Sequence, residues 1–346
     1  MTRLFCIALG LLIIFASLPI SGSAESKDLE ALAKEKAHHQ NSKFINPWLK
    51  ENKPGSFLRF LKWKLLPNPF RSEKEHPPKI PFLKPEVKSI LAKGDSLTYL
   101  GHATYWIRLQ GLNILTDPVF NEIGFFFARQ TPFPFPPEDL PGPEVVLISH
   151  SHYDHLSEES LQKLGPRPIY LTPLGYKDWF TDAVPGAQVI ELDWFQSYSF
   201  KGLTFRLLPS QHWSSRTPWD ANRRLWGSWL IEGEKHAVFF AGDTGYFSGF
   251  KEFGEKFGPI DAALLPIGGY EPRWFMEKHH MNPQDAVKAF LDLQAQVLLP
   301  MHWGVFDLTN EPLDLPPKAL REAARAAKLS GERTPLIPPG GTWYFP

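Results

Sequence analysis

The chain has 346 residues, with 37 Lys or Arg balanced by 37 Asp or Glu, so its formal net charge is zero. A hydrophobic content of 43% supports a large core, which excludes a disordered chain and fits one large domain or two small ones. The neutral balance offers no basic face for a phosphate backbone, so no nucleic-acid partner is expected.

The first predicted element is a secretory leader over residues 1–24. Arg3 precedes the apolar run Leu4 to Ile20, and Ser21-Gly22-Ser23-Ala24 supplies small residues for cleavage after Ala24. An uncleaved anchor is the alternative, since the run is only slightly short of a membrane span. The one cysteine, Cys6, lies inside the leader and too early for lipid attachment. The expected mature protein is exported to the periplasm or envelope, carries no thiol, and must hold any metal through nitrogen and oxygen.

Residues 25–55 are charged and polar without a sustained period and read as a linker or exposed arm. The arm is taken to run over 25–95, ahead of a main domain over 96–346. Within it, "FLRFLKWKLLPNPF" is basic and apolar together. On a helical wheel Arg59, Lys62 and Lys64 fall at scattered angles, whereas a membrane-surface helix separates its faces. Residues 57–66 are therefore equally open to peripheral membrane contact and to packing on the main domain.

From Ser96 the texture becomes one of short strands. "LTYLGHATYWIRLQGLNILTDPV" reads as strands broken at Gly101 and turned at Gln110-Gly111. Val145 to Ile148 is an apolar, β-branched strand, and Ser157 opens a short helix over Glu158 to Leu164 stopped by Gly165-Pro166. "PIYLTP", "QVIEL", "FKGLTFRLLPS", "LWGSWLIEGEKHAVFFAGD" and "DAALLPIG" continue the strands. Helices are predicted in "PQDAVKAFLDLQ" after Asn282 and in "PPKALREAARAAKL". This interspersion predicts an α+β domain with two sheets and helices outside.

Between the strand at 145–148 and the helix at 158–164 lies "HSHYDH", which sets His150, His152, Asp154 and His155 within six positions. In an extended segment His150, His152 and Asp154 would share a face and His155 would turn away. Such spacing points to a metal site. Three later apolar runs also end on a possible ligand: His212 in "LLPSQHWS", Asp243 in "VFFAGDTGY" and His302 in "VLLPMHWG".

"HSHYDH" resembles the H-x-H-x-D-H signature of the metallo-β-lactamase superfamily, with the downstream His, Asp and His in matching order. "YLGHATYWI", "LTDPVF", "HWSSRTPWDANRRLWGSW" and "YEPRWFM" narrow the resemblance to the branch of N-acylphosphatidylethanolamine-hydrolysing phospholipases D and their bacterial relatives. "NEIGFFFARQTPFPFPP", residues 121–137, departs from that pattern and is expected near the site entrance. The resemblance implies a four-layer αβ/βα sandwich holding two Zn²⁺ per chain, with Mn or Fe compatible with the same donors. His150, His152 and His212 would hold one metal; Asp154, His155 and His302 the other, with Asp243 bridging. The implied reaction is attack by a metal-bridging hydroxide on a phospholipid phosphodiester, the alternative being a lactonase or acyl hydrolase with the same ligands. No nucleophile-elbow sequence competes with it.

Asp154 and His280 are the candidate catalytic residues, and His102 is expected to buttress the site by hydrogen bonding. Tyr153, Trp213, Arg216 and Tyr270 are candidates for substrate contact. Arg223 and Arg224 are further phosphate candidates, and Trp219, Trp226 and Trp229 candidates for an acyl groove, although alternating Trp226 and Trp229 equally suit a strand core. His38, His39, His76, His236 and His279 show no partner pattern. The expected partners are a phospholipid or membrane-derived substrate and, as a candidate assembly, a second copy in a homodimer.

Overall fold

A computed structural model describes residues 28–50, 57–77, 79–124 and 127–346; the expected leader lies outside the described residues. A small hairpin, β1 (His39–Gln40) and β2 (Lys43–Phe44), precedes the main strands. The next six are β3 (Ser96–Gly101), β4 (Thr104–Leu109), β5 (Leu112–Thr116), β6 (Val145–Leu147), β7 (Ile169–Pro173) and β8 (Gln188–Leu192). They are followed by β9 (Ser197–Phe200), β10 (Leu203–Leu208), β11 (Ser228–Glu232), β12 (Ala237–Phe240), β13 (Ile260–Pro266), β14 (Ala295–Met301) and β15 (Thr342–Tyr344). The turn at Gln110-Gly111 joins β4 to β5 with φ of 51° and 79°, the two positive values that a tight two-residue hairpin needs.

The strands form two sheets, ordered β15-β3-β4-β5-β6-β7-β8 and β14-β13-β12-β11-β10-β9. Pairing is parallel from β5 to β8 and from β12 to β14, and antiparallel elsewhere in these two sheets. Side chains alternate between faces, and in the first sheet both faces are buried. Tyr105, Ile107, Val145 and Leu147 enter the core between the sheets, whereas Trp106, Val146 and Ile148 enter an outer core. Leu161 of helix Glu158–Leu164 and Phe180 of helix Lys177–Ala183 close that outer core. Phe250 of helix Gly249–Phe257 and Phe290 of helix Pro283–Asp292 cover the second sheet. The result is the expected four-layer αβ/βα sandwich.

The helix boundaries follow capping chemistry. Ser157 accepts a hydrogen bond from Ser160 N, and Gly165 ends that helix at a φ of 68°. Asn282 and Asp285 form a reciprocal capping box with Pro283 in the first turn.

Residues 28–50 correct the expectation of a linker or exposed arm. Leu29 and Ala33 of helix Leu29–Lys34 are buried. His38 Nε2 and His39 Nε2 lie 2.6 Å and 3.0 Å from the Asp193 carboxylate, which Lys36 also meets. Further along, Asn46 Nδ2 donates to His212 O at 2.8 Å and Trp48 Nε1 to Gln211 Oε1 at 3.1 Å. The docking is long-range, combining these polar bonds with Leu29 and Ala33 in the main core and Trp48 stacked on Trp194 and Phe247, and the sequence shows no sustained period that announces it. Burial opposes the charged form of Asp193, yet the bonds from His38 and Lys36 hold its carboxyl far below the usual range. Burial also lowers His38. Both groups bind protons less readily folded than unfolded, so both contributions to stability are present at higher pH and lost as pH falls. Cleavage within residues 28–50 by a protease should accordingly rise once the pH drops below about 6.5. An unchanged rate would show that the Asp193 cluster does not hold the arm.

Strand direction gathers the site. β3 runs parallel to β5 and β6 because β4 opposes both of its neighbours, and β10 likewise runs with β12, β13 and β14. His102, Asp117, His150, His212, Asp243 and His302 thus all follow C-terminal strand ends, where open sheets place their ligand sites.

Candidate metal centre

At His152 the chain turns: His155 N donates to His152 O at 3.1 Å and Leu156 N to the same carbonyl at 2.9 Å. This corrects the expected extended segment with His155 facing away. The turn swings His155 inward, with Nε2 3.2 Å from Asp243 Oδ2.

The ligand atoms fall into two groups. His150 Nε2, His152 Nδ1 and His212 Nε2 form one, separated by 2.9 Å and 3.3 Å in that order. In the other, Asp154 Oδ2 lies 3.5 Å from His155 Nε2 and 3.6 Å from His302 Nε2, with His102 the fourth member of the set. Asp243 stands between them. Its Oδ2 is 3.8 Å from His150 Nε2 and 3.9 Å from His212 Nε2, while Oδ1 is 3.3 Å from His302 Nε2.

The Nε2 atoms of His155 and His302 and Oδ1 of Asp243 are buried without hydrogen-bond partners. Such atoms are costly in a dry site, and a cation bound among them would satisfy them together. Two nitrogen-rich groups sharing a carboxylate therefore fit divalent metal ions held without thiolate.

A second set of bonds aims the ligands. Ser149 Oγ donates to Asp117 Oδ2 at 2.5 Å and lies 2.9 Å from His150 Nδ1, while His155 Nδ1 lies 2.7 Å from Asp117 Oδ2. With protons on both Nδ1 atoms, His150 and His155 present bare Nε2 atoms inward. His212 is set the same way by its Nδ1, 2.9 Å from His279 O. His102 Nε2 meets Asp154 Oδ2 at 2.9 Å. Gly242, at a φ of 58°, permits the close approach, since a Cβ there would sit 2.5 Å from Ser149 Cβ. His102 and His302 also hold positive φ, at 56° and 61°, a strained conformation concentrated at functional sites.

Asp117 was not singled out from the sequence, although it follows β5 as the other ligands follow their strands. Because such outer carboxylates typically govern metal affinity by 10–100-fold, Asp117→Asn should weaken metal binding by about that factor. Competition with a chromogenic chelator reads the change, and an unaltered affinity would reduce Asp117 to a packing role.

Electrostatics divide the histidines. Burial drives His150 and His212 well below the ordinary value, and lowers His152 to about 4, His280 to about 4 and His102 to about 3. Burial also opposes charge on His155 and His302, but the neighbouring Asp243 and Asp154 carboxylates raise His155 well above its usual range and His302 to about 9. Asp154 and Asp243 are in turn held well below the carboxylate range against burial, chiefly by His155. The centre is built to balance cations against two carboxylates.

A family model described as the beta-lactamase superfamily domain matches residues 112–303, more than half of the chain. The chain belongs to this superfamily. It is 40% identical over 238 residues to N-acyl-phosphatidylethanolamine-hydrolyzing phospholipase D 1 of Caenorhabditis elegans, covering 64% of this chain and 67% of that protein. An uncharacterized Mycobacterium bovis protein is 33% identical over 339 residues, covering 91% and 88%. In fold it resembles Igni18, a metallo hydrolase of Ignicoccus hospitalis, with a TM-score of 0.57 at 24% identity over 73% of this chain and 99% of that one. The protein is a metal-dependent hydrolase of the metallo-β-lactamase fold.

Beside the metal centre, the hydrolase opens an apolar groove of about 900 Å³ that reaches His152, His279 and His280. Phe60 and Trp63 of helix Phe57–Leu65 form one wall, and Trp213, Phe275 and Met276 line it elsewhere. His280 lines it with Nδ1 3.8 Å from Asp243 Oδ2. Trp213 packs its ring against His152 at 4.5 Å, and Tyr153 donates its hydroxyl to Arg216 O at 2.9 Å.

Other predicted contacts are redirected. Arg216 lines the groove, but its Nη1 donates to Ser151 O and Leu156 O at 3.2 Å and 2.7 Å, stapling the ligand loop rather than awaiting phosphate. Arg224 pairs with Asp220 at 2.7 Å, and Arg223 is exposed. Trp226 and Trp229 are buried in the core, donating to Ser210 O and Ile148 O. Tyr270 is buried and does not line the groove; Glu311 fixes its loop by accepting from the amides of Gly269, Tyr270 and Glu271. The described part of 121–137 does not wall the groove either. It braces the loop after His302, with Gln130 N donating to Val305 O and Thr131 Oγ to Gly304 O.

Proposed function

We propose that this hydrolase is an exported dinuclear-zinc phosphodiesterase that cleaves a phospholipid in the manner of an N-acylphosphatidylethanolamine-hydrolysing phospholipase D. The observation carrying the reading is the apolar groove, which runs from solvent to His152 and His280. Its volume and aromatic walls suit an acyl chain, while a small cyclic ester needs no such length. The name of the Caenorhabditis elegans relative points the same way, and export rests on the leader.

When bound, the metals would lower the pKa of a coordinated water toward ~7 and neutralise charge on the phosphoryl oxygens. The protein's own part is positional. Asp117, Ser149 and His279 fix the imidazole orientations, and the groove holds the lipid so that its diester reaches the ligand edge. His280 is placed to donate a hydrogen bond to the phosphoryl group or the departing oxygen.

One turnover in oxygen-18 water tests the bond broken. Label is expected in phosphatidic acid, with the released alcohol keeping its original oxygen. Label in a free fatty acid instead would identify an acyl hydrolase. His280→Ala should lower kcat by about 10²-fold with the same labelling pattern, because a proton or hydrogen-bond donor alters rate and not regiochemistry.

A further inference from the structure

Eight of the twelve exposed large hydrophobic residues among the described residues lie in or next to segments that line the groove: five between Leu58 and Leu66, in and after the helix that carries Phe60 and Trp63, together with Tyr153, Trp219 beside Pro218 and Trp274 beside Phe275. Monomer surfaces rarely carry such a contiguous patch without a partner. Helix Phe57–Leu65 is turned so that Trp63 faces the protein, its Nε1 donating to Asn310 Oδ1 at 2.8 Å and its ring against Phe275 at 5.3 Å. Leu58, Leu61 and Leu65, spaced i, i+3 and i+7, then form one outward stripe. Leu58 and Leu65 are 73% and 75% exposed, and Trp219, next to the groove-lining Pro218, is 81% exposed.

Charge completes the pattern. With Trp63 marking the inner side, Lys62 and Lys64 lie on opposite flanks of the leucine stripe, and Arg59 lies beyond Lys62. The scattered angles in the sequence are therefore flanking positions: Arg59 donates to Trp274 O at 2.8 Å, Lys62 lies 5.1 Å over the Trp274 ring and Lys64 lies 3.8 Å over the Trp63 ring, so three positive charges border the leucine stripe. The helix carries no acid. Two copies pairing through this face would oppose cation to cation, whereas an anionic surface complements it. The helix also lies outside residues 112–303, which match the family.

We infer that this stripe, with Trp219 and Trp274, docks the protein on a phospholipid bilayer containing anionic lipid and sets the groove mouth against the membrane. The choice of partner rests on the lipid-hydrolase reading above. Docking would let a lipid slide along Phe60 and Trp63 toward the metal centre without crossing water.

The test uses the metal-loaded protein and vesicles of phosphatidylcholine with or without phosphatidylglycerol, read by co-flotation. Wild type should float with the anionic vesicles. Leu58→Glu/Leu61→Glu/Leu65→Glu should reduce partition at least about tenfold. Arg59→Gln/Lys62→Gln/Lys64→Gln should erase the preference for phosphatidylglycerol, a loss of about 100-fold. Both variants should hydrolyse a short, water-soluble phosphodiester at the wild-type rate, because none of the six side chains lines the groove. Wild type that floats with neither vesicle overturns docking, as does unchanged partition of the leucine variant. A leucine variant that only converts dimers to monomers in sedimentation would make the face a contact between copies, and would also overturn it. Flotation without hydrolysis of vesicle phosphodiesters would leave docking standing and sink the proposed reaction instead.

Discussion

Asp243→Ala is expected to lower turnover by about 10⁴-fold, equivalent to about 5–6 kcal/mol of transition-state stabilisation. The size follows from where the carboxylate stands. Asp243 is within 3.9 Å of ligand atoms from both histidine groups: Oδ2 reaches His150, His155 and His212, and Oδ1 reaches His302. Removing it leaves the Nε2 atoms of His155 and His302 with only the Asp154 carboxylate beside them, so one candidate metal position would lose its shared anion and the other its link to the first. Elemental analysis should find two metals per wild-type chain and at most one in the variant. A variant that keeps both metals and full activity would show that the bridge lies elsewhere. Asp243→Asn is the informative partner: it keeps the shape but lacks the charge, so recovery of metal without turnover would separate holding from chemistry.

Stripping metal from the wild-type protein with a chelator should abolish turnover and lower stability at the same time. A ligand held at about a thousandfold its Kd contributes about 4 kcal/mol to folding. The origin is visible in the buried atoms that lack partners, Asp243 Oδ1 and the Nε2 atoms of His155 and His302. Chemical denaturation with and without chelator measures the loss. Adding back Zn²⁺, Mn²⁺ or Fe²⁺ separately then ranks the metals by recovered turnover. Activity that survives complete removal would end the metal-dependent reading of this site.

The local features of this protein are written in short stretches of sequence. Val145 to Leu147 had to be a strand, Ser157 had to start a helix, Asn282 and Asp285 had to cap one, and Gln110-Gly111 had to turn tightly. Each depends on side-chain period or on backbone groups a few residues apart, which one segment contains entirely. The seven candidate ligands were legible for a related reason. They follow apolar strands, and strand ends are where a sheet delivers side chains to a common edge.

What the segment could not contain is the partner. Asp117 acquires its role only when packing brings His155 to it across 38 positions, and Asp193 only when His38 arrives from 155 positions away. His155 reads as outward along an extended chain and is turned inward by bonds to His152 O. Trp213 and Trp226 look alike in sequence, yet one lines the groove and the other fills the core. Arg216 offers a free guanidinium on paper and spends part of it on two carbonyls. The sequence determined strands, caps and ligand chemistry because those are local hydrogen-bonding and periodicity effects. Tertiary structure alone decided orientation, burial and groove, because a buried polar group is defined by whichever distant donor or acceptor the packed sheets bring within about 3 Å.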